Sequence, residues 1–291
     1  MNEIDQQLHR EIHQFMMNIH PDNIFSSRVK VFDYVEQQLG YSVTGTGLDI
    51  GCGSGYASIW LAKNKPITKI YAQEASQAAV EQLLPRNIAH HHVSGIVEPL
   101  QGSFDALPFD ESLDFVVSFG ALHHSICLFS TMKSIGKSLK DGGYLIAQEP
   151  VMPNTTSNQD YINKYNIIEK MFGMKIRNGD RNDNFFREAE YITAAAFAGL
   201  DLVLYEDFAK LEQKNGWNHL LQKLRSVIGR HAIKQLFLKL TGRASTNAAP
   251  QAPRELPEGD LEYTKKVMRK IFVFKKKKTE YIPHVWRGLG G

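Results

Sequence analysis

The feature that most constrains the fold is a glycine-rich stretch at residues 46–55, which reads TGLDIGCGSG. The apolar residues at its start are typical of a short buried strand, and residues 56–63 after it are typical of a helix. Gly51, Gly53 and Gly55 stand between the two, where glycine allows positive φ and lets a ligand approach the main chain. The stretch therefore predicts a strand, a tight turn and a helix in a chain of the α/β class. Such turns also occur in proteins that bind nothing, so a purely structural turn is the alternative.

Two acids near this loop indicate what kind of ligand it would hold. Asp49 lies two residues before the first glycine, where a carboxylate can receive an amino group. Glu74 ends a second apolar run at residues 67–72, and a carboxylate at the tip of the second strand of a doubly wound sheet holds the two hydroxyls of a ribose. Loops that bind a pyrophosphate usually read GxGxxG, whereas this loop reads GCGSG beside an acid that would repel phosphate. The ligand is therefore expected to contain a ribose and to be cationic or zwitterionic.

These residues resemble the first motif, DxGxGxG, and the ribose acid of the class I S-adenosylmethionine-dependent methyltransferases. Two further segments extend the resemblance. GSFDALPF at residues 102–109 is similar to the GDAxxLPF segment of the small-molecule, type 11-like members, and LKDGG at residues 139–143 is similar to their LKPGG. The resemblance covers residues 46–150 and implies a doubly wound, Rossmann-like sheet of seven mostly parallel strands with helical lid insertions. It also implies that the cofactor is S-adenosyl-L-methionine.

The resemblance further implies a set of cofactor-binding residues. They are the loop with its acid (Asp49, Gly51, Cys52, Gly53, Gly55), the end of strand two (Glu74, Ala75), the adenine segment (Ser103, Phe104, Asp105) and the end of strand four (Ser118, Phe119, Gly120). Ser103 stands where the family has an acid; its hydroxyl can bond the adenine amino group, and Asp105 is the substitute. Phe104 is expected either to stack on the adenine or to pack in the core.

The segment after strand four, SFGALHH at residues 118–124, bears on the acceptor. Methyltransferases that modify exocyclic amines or glutamine amides commonly have an Asp/Asn-Pro-Pro-Tyr/Phe motif at this place, so its absence disfavours amino methylation. An oxygen, carbon or sulfur acceptor is preferred, and O-methylation of a polar small molecule or glycan is the first hypothesis. His123 is the candidate general base, with His124 and Glu149 behind it. A structural or cofactor-packing role of His123 is the alternative.

Charge is distributed unevenly along the chain. Residues 1–150 contain 10 Lys and Arg against 16 Asp and Glu, whereas residues 151–291 contain 24 against 15. A basic half is typical of proteins that meet an acidic partner, such as an anionic sugar, a nucleic acid or a membrane surface, although a solvated basic face has the same composition. A nucleic-acid methyltransferase is thus a disfavoured second hypothesis, because no RNA-binding module is recognisable. A non-catalytic cofactor-binding or membrane-surface regulatory protein is the third.

Other features of the sequence bear on localisation and on metals. No run of about 18 apolar residues occurs, so no membrane span is expected, whereas peripheral membrane contact stays open. The polar start is unlike a signal peptide and Cys52 lies in the glycine loop, which together favour a cytoplasmic protein. The three consecutive histidines at 90–92 are interpreted as an extended chain with diverging side chains, so no metal is expected. The sequence does not predict an oligomeric state.

We divide the chain into six predicted segments. They are an N-terminal helical cap at 1–44, the S-adenosylmethionine-binding core at 45–150, a substrate lid at 151–185, a core helix with strand six at 186–208, a basic helical insertion with a proline-rich link at 209–268, and the last strand with a tail at 269–291. Both insertions leave the carboxyl edge of the predicted sheet, so both are expected to roof the acceptor pocket.

Overall fold

The computed structural model describes residues 17–157, 159, 186–213 and 268–278. Seven strands form one sheet in the order β3-β2-β1-β4-β5-β7-β6. The strands are β1 Gly45–Ile50, β2 Ile67–Glu74, β3 Val97–Gln101, β4 Leu113–Phe119, β5 Leu139–Val151, β6 Leu200–Asp207 and β7 Met268–Lys276. Strands β1 to β5 pair in parallel, and β7 runs antiparallel to both β5 and β6. The predicted α/β sheet of seven mostly parallel strands is confirmed.

Helices cover both faces of this sheet. They are α1 Lys30–Leu39, α2 Tyr56–Asn64, α3 Leu84–His90, α4 Leu128–Ser138, α5 Glu188–Phe197 and α6 Phe208–Gln213. Buried side chains of α1, α2 and α3 pack into one core cluster, and those of α4 and α5 pack into a second. Alternate residues of β4 belong to the two clusters, Val117 to the first and Val116 to the second, so the clusters lie on opposite faces. The carboxyl ends of β1, β2, β4 and β5 meet at one edge, where doubly wound sheets bind ligands.

Helix α1 packs over the first face close to that edge. Phe32 of α1 is fully buried, stacks on Trp60 of α2 with ring centroids 5.4 Å apart, and contacts Phe119 at the end of β4 at 5.1 Å. Burying such a side chain stabilises the fold by about 1.5–3 kcal/mol. The segment just before α1 is therefore held beside the end of β4.

The structure corrects the prediction for the helix after β2. The sequence predicts a helix over about residues 76–84 and an extended chain across the histidines. Instead, a π-helical turn at Ala79–Leu83 continues into α3, which ends only at His90. Pro85 lies directly after the π-helical turn, at the start of the α-helical part, and the helix continues past it. The histidine run therefore lies at a helix end.

A second correction concerns residues 141–143, which the sequence predicts to close the helix before a strand at 144–148. Helix α4 ends earlier, at Ser138, because Leu139 already has extended backbone angles and pairs with Leu113 of β4. Residues 141–143 consequently lie within β5 rather than at the end of the helix.

Several predictions lie outside the described residues. These are the helix expected before residue 17, the substrate-lid segment 158–185 apart from residue 159, the amphipathic helices and proline-rich link within 214–267, and the tail beyond residue 278. The six predicted segments remain predictions as domain boundaries. In the described ranges, no helix has both the length and the hydropathy that crossing a bilayer requires.

Candidate active site

The glycine loop forms the tight turn between β1 and α2. Gly51, Gly53 and Gly55 have φ of 60°, 56° and 77°. A Cβ on Gly51 would lie 2.6 Å from the Cβ of Ala121, and a Cβ on Gly55 would lie 2.8 Å from a side-chain atom of Leu84. Both positions therefore require glycine for conformation and for space. The N–H groups of Gly51 and Gly53 are held by side chains at the end of β2, so the loop is fixed at the carboxyl edge of the sheet.

Asp49 lies beneath this loop rather than in it. The residue is only 2% exposed, and its Oδ2 accepts hydrogen bonds from the backbone N–H and the hydroxyl of Ser58, at 3.2 and 2.7 Å. Burial raises the pKa of Asp49 to about 7, although the bonds from Ser58 act in the opposite direction. The side chain thus anchors the first turn of α2. Its predicted contact with the amino group of the cofactor stays a prediction.

Glu74 lies directly beside the loop, as the sequence predicts. One carboxylate oxygen accepts from the N–H of Gly53 at 3.0 Å, and the other accepts from the N–H of Ala75 at 2.9 Å and of Ser76 at 3.3 Å. Both oxygens lie at the tip of β2, so the carboxylate is placed to receive two adjacent hydroxyl groups of a ligand. Cys52 is buried here, and burial raises the pKa of its thiol, which keeps the side chain neutral.

Gln73 is a loop-supporting residue that the sequence analysis missed. Its Oε1 accepts from the N–H of Gly51 at 3.3 Å, and its Nε2 donates to the carbonyl of Gly102. The amide therefore ties the glycine loop to the segment that follows β3. No local motif marks it, because the contact depends on the pairing of Gln73 with Ile50 across β2 and β1.

The predicted adenine segment folds onto α4. The hydroxyl of Ser103 donates to Asp105 at 3.2 Å, and it accepts from the N–H of Asp105 at the same distance. The other carboxylate oxygen of Asp105 accepts from the hydroxyl of Thr131. Phe104 is half-buried and packs against the second core cluster, which agrees with the alternative of a core-packing side chain. Ser103 itself is exposed.

Glu149 is the centre of a buried hydrogen-bond network at the ends of β4 and β5. Its Oε1 accepts from the hydroxyl of Ser118 at 2.6 Å and from the N–H groups of Ala121 and Leu122 at 3.0 and 3.1 Å. Its Oε2 lies 2.9 Å from Nδ1 of His123. Burial acts to raise the pKa of Glu149, but the bonds and charge of His123 and the bond from Ser118 outweigh it and hold the pKa below its usual value.

The network fixes the orientation of His123. With Nδ1–H assigned as the donor to Glu149, Nε2 is the basic nitrogen of the neutral ring. The ring of His124 lies 4.0 Å from that of His123, and His124 is exposed. The structure therefore brings together the three predicted catalytic residues. Ser118 belongs to this network through its side chain, although the sequence assigned it to the cofactor.

Arg28 is a second residue that the sequence analysis missed. Its Nη1 donates to the carbonyl of Phe119 at 2.8 Å, and a Cβ on Gly120 would lie 2.9 Å from the same nitrogen. Burial raises the pKa of Tyr56 to about 12, and the nearby guanidinium of Arg28 lowers it in part. A cation therefore stands at the end of β4, close to the start of α2. Nothing in the local sequence distinguishes Arg28 from other surface arginines.

Gln148 is fully buried at the end of β5, on the same face of the sheet as Ile146. Within the described ranges neither atom of its side-chain amide has a hydrogen-bond partner. Buried amides are normally paired, so this one indicates a place for a polar group of a ligand. The sequence analysis did not single it out.

The lysine run at the end of β7 lies away from this site. Lys275 pairs with Tyr144, and Lys276 donates to the carbonyl of Leu139, both near the amino end of β5. Lys276 and Lys277 also form ion pairs with Glu111 and Asp201. These lysines therefore lie at the amino end of β5, on the other side of the sheet from the carboxyl edge.

Comparison with known proteins finds relatives for the central part of the chain. Residues 48–147 match the model of a family described as a methyltransferase domain. The chain is 30% identical to the malonyl-[acyl-carrier protein] O-methyltransferase of Priestia megaterium over 99 residues, which is 34% of each protein. It is 25% identical to the sterol 24-C-methyltransferase of Aspergillus fumigatus over 191 residues, 65% of this chain and 48% of that one. The chain thus spans less than half the length of these relatives.

A solved structure extends the likeness of the fold. The phosphoethanolamine N-methyltransferase 2 of Haemonchus contortus, in complex with S-adenosyl-L-methionine, superposes with a TM-score of 0.55 at 14% identity. The match covers 86% of this chain and 52% of that one. The three similar proteins are named for transfer to oxygen, carbon and nitrogen, so the likeness does not select the acceptor atom.

Proposed function

We propose that the protein, whose residues 48–147 match a family described as a methyltransferase domain, is a class I, S-adenosylmethionine-dependent methyltransferase that methylates an oxygen atom of a polar small molecule or glycan. The observation that carries the choice of oxygen is the pair of His123 and Glu149, 2.9 Å apart at the carboxyl end of the sheet. An imidazole oriented by a carboxylate is suited to remove a proton from a hydroxyl group. Methylation of carbon or nitrogen is the competing outcome.

The chain offers complementary groups for S-adenosylmethionine at three places. The carboxylate of Glu74 suits the two ribose hydroxyls, and the lack of side chains at Gly51 and Gly53 lets the amino-acid part approach the main chain of the loop. The guanidinium of Arg28 suits the carboxylate of that part, because such pairs form charge-assisted hydrogen bonds. When bound, the cofactor supplies a methyl group attached to a sulfonium sulfur, and that sulfur is a good leaving group because it departs as a neutral thioether. The protein then has to hold the acceptor in line with that methyl group and exclude water.

Positioning accounts for most of the proposed rate enhancement. Holding two reactants in line can supply about 7–11 kcal/mol of a barrier. We propose that the buried amide of Gln148 and the Arg28 guanidinium help to fix the acceptor and the cofactor relative to each other. Both groups lie where β4 and β5 end.

The proposed base is His123, and Glu149 is its positioning residue. As the new oxygen–carbon bond forms, the proton of the acceptor hydroxyl passes to Nε2 of His123. The negative charge of Glu149 stabilises the imidazolium that results, at a distance of 2.9 Å from Nδ1. General-base assistance of this kind contributes about a hundredfold or more to a rate.

The first experiment establishes the cofactor independently of the acceptor. Isothermal titration with S-adenosylmethionine and S-adenosylhomocysteine is expected to show binding by the wild type that weakens strongly in Glu74→Ala. Labelled methyl donor is then offered with nucleotide sugars and hydroxylated metabolites, with RNA and liposomes included as the alternative partners. A product methylated on nitrogen or carbon would contradict the oxygen assignment while leaving the cofactor result intact.

The second experiment tests the base. His123→Gln is expected to bind cofactor as the wild type does but to lose about a hundredfold or more in kcat, together with the acidic limb of the pH–rate profile. His124→Gln is the matched control, because it removes the neighbouring imidazole and leaves the 2.9 Å contact between His123 and Glu149 in place, and it is expected to keep the profile. An unchanged profile in His123→Gln would show that His123 is structural.

A further inference from the structure

A second cluster of titratable side chains lies at the carboxyl end of α3. There the short 3₁₀ turn Pro21–Asn23 crosses the end of α3. Asp22 Oδ1 lies 2.8 Å from His90 Nε2, and His91 Nε2 lies 3.1 Å from the carbonyl oxygen of Pro21. One possible metal-ligating atom from each of Asp22, His90 and His91 falls within 4.8 Å of the others.

The end of α3 explains why neighbouring histidines converge. His90 is the last helical residue, His91 leaves the helix with its N–H still bonded to Asn87, and His92 turns the chain with φ of 58°. The rings of His90 and His91 are 5.0 Å apart, edge to face, and both meet the Pro21–Asn23 turn. The expectation of diverging side chains assumed an extended chain, which this segment is not.

We propose that Asp22, His90 and His91 form a binding site for a divalent transition-metal ion, with Zn²⁺ as the representative. Two imidazole nitrogens and one carboxylate oxygen are a donor set that suits zinc and its neighbours, whereas calcium and magnesium prefer oxygen donors throughout. In a tetrahedral zinc site the ligand atoms lie about 3.3 Å apart. The three atoms need only small side-chain movements to reach that spacing.

Two nearby groups can complete the coordination. The Pro21 carbonyl is already within hydrogen-bond distance of His91. The Nδ1 atom of His20 lies 3.4 Å from Asp22 Oδ2, and its ring lies 5.6 Å from that of His90. A water molecule in the fourth position serves equally well, because Asp22 is largely exposed.

An ion here would link residues 17–23 to α3, the helix that contacts the glycine loop. Arg86 of α3 donates to the carbonyls of Met17 and Ile19, just before the Pro21–Asn23 turn. The next residue, Asn87, donates through its side chain to the carbonyl of Ser54 in the glycine loop at 2.9 Å. The metal therefore acts as a structural clamp between the N-terminal segment and α3, and its binding stabilises the folded protein.

The test uses the full chain without a polyhistidine tag, stripped with EDTA and titrated calorimetrically with Zn²⁺. The wild type is expected to bind a single equivalent and to unfold at a higher temperature when the ion is present. Asp22→Asn and His90→Gln are each expected to weaken binding by at least about tenfold and to abolish the thermal shift. His92→Gln is the matched control and is expected to bind as the wild type does, because its exposed imidazole lies outside the cluster.

Titration with Co²⁺ supplies an independent readout. The wild type and His92→Gln are expected to develop the visible absorption of a tetrahedral site with nitrogen ligands, and the other two variants are not. Absence of a specific equivalent in the wild type would overturn the proposal. Equal binding by the wild type and His90→Gln would also overturn it, because the uptake would then belong to other histidines.

Discussion

Replacing Asp49 by Asn should change how the stability of the protein depends on pH. The carboxyl of Asp49 is buried, and burial raises its pKa from 3.8 to about 7. The folded state therefore binds a proton more tightly than the unfolded state does. This group's contribution to stability is fully present below pH of about 4 and is lost as the pH rises through about 7. Asn keeps an oxygen acceptor for Ser58 but cannot ionise.

The size of the effect follows from the pKa difference. One pKa unit corresponds to about 1.4 kcal/mol, so the whole shift is worth about 4 kcal/mol. Between pH 5 and pH 8, the free energy of unfolding of Asp49→Asn is expected to rise relative to the wild type by about 2–3 kcal/mol. The absolute effect of the substitution at a single pH matters less than this change, because it also contains differences in packing and hydrogen bonding.

The measurement is urea unfolding of both proteins at several pH values between 5 and 8. Asp110→Asn serves as the control, because Asp110 is 72% exposed and its ion pair with Lys137 at 3.6 Å is exposed to solvent and weak; its difference from the wild type is expected to stay nearly constant. A constant difference between Asp49→Asn and the wild type would refute the reasoning. It would mean that folding does not change the proton affinity of this carboxyl.

Three further substitutions test the cofactor site. Gly51→Ala is expected to lower both the melting temperature and the affinity for S-adenosylhomocysteine, because its Cβ would meet Ala121 at 2.6 Å, whereas Gly102→Ala has open space and should change neither quantity. Glu74→Gln is expected to lower the affinity for S-adenosylhomocysteine, measured by calorimetry, by about tenfold, since bonds to a charged acceptor are worth about 1.5–3 kcal/mol. Arg28→Gln is expected to lower the affinity for S-adenosylmethionine but not for its decarboxylated analogue. Equal losses of affinity for both ligands would contradict the proposed contact with the carboxylate.

The cofactor loop was predictable from the sequence because its geometry is local. Gly51 follows β1 directly, and Glu74 ends β2 at a distance along the chain that a strand–helix–strand unit imposes. Parallel pairing of β1 with β2 then brings the carboxylate to the loop. Neighbouring residues and one pairing rule were therefore sufficient.

The remaining site residues depend on contacts that no local pattern encodes. Arg28 reaches the carbonyl of Phe119 across 91 positions of sequence. Gln148 is conspicuous only because its buried amide has no partner in the described part of the chain. The convergence of His90 and His91 depends on the helix continuing past Pro85 to His90, whereas the sequence pattern predicts its end at about residue 84. Tertiary packing therefore determines the positions of Arg28, of Gln148 and of the two histidines.

The network around Glu149 contributes both to the stability of the fold and to the proposed chemistry. A buried carboxylate is costly unless it is well bonded, and donors from Ser118, Ala121 and Leu122 provide that compensation before His123 is counted. Replacing Glu149 would therefore disturb the turn after β4 as well as the imidazole. A loss of activity in Glu149→Gln would not by itself distinguish a positioning role from a structural one. The distinction rests on His123, because replacing its side chain leaves four bonds to Glu149 in place, including the one from its own backbone N–H. A variant that folds and binds cofactor but has lost the acidic limb of its pH–rate profile therefore isolates the chemistry.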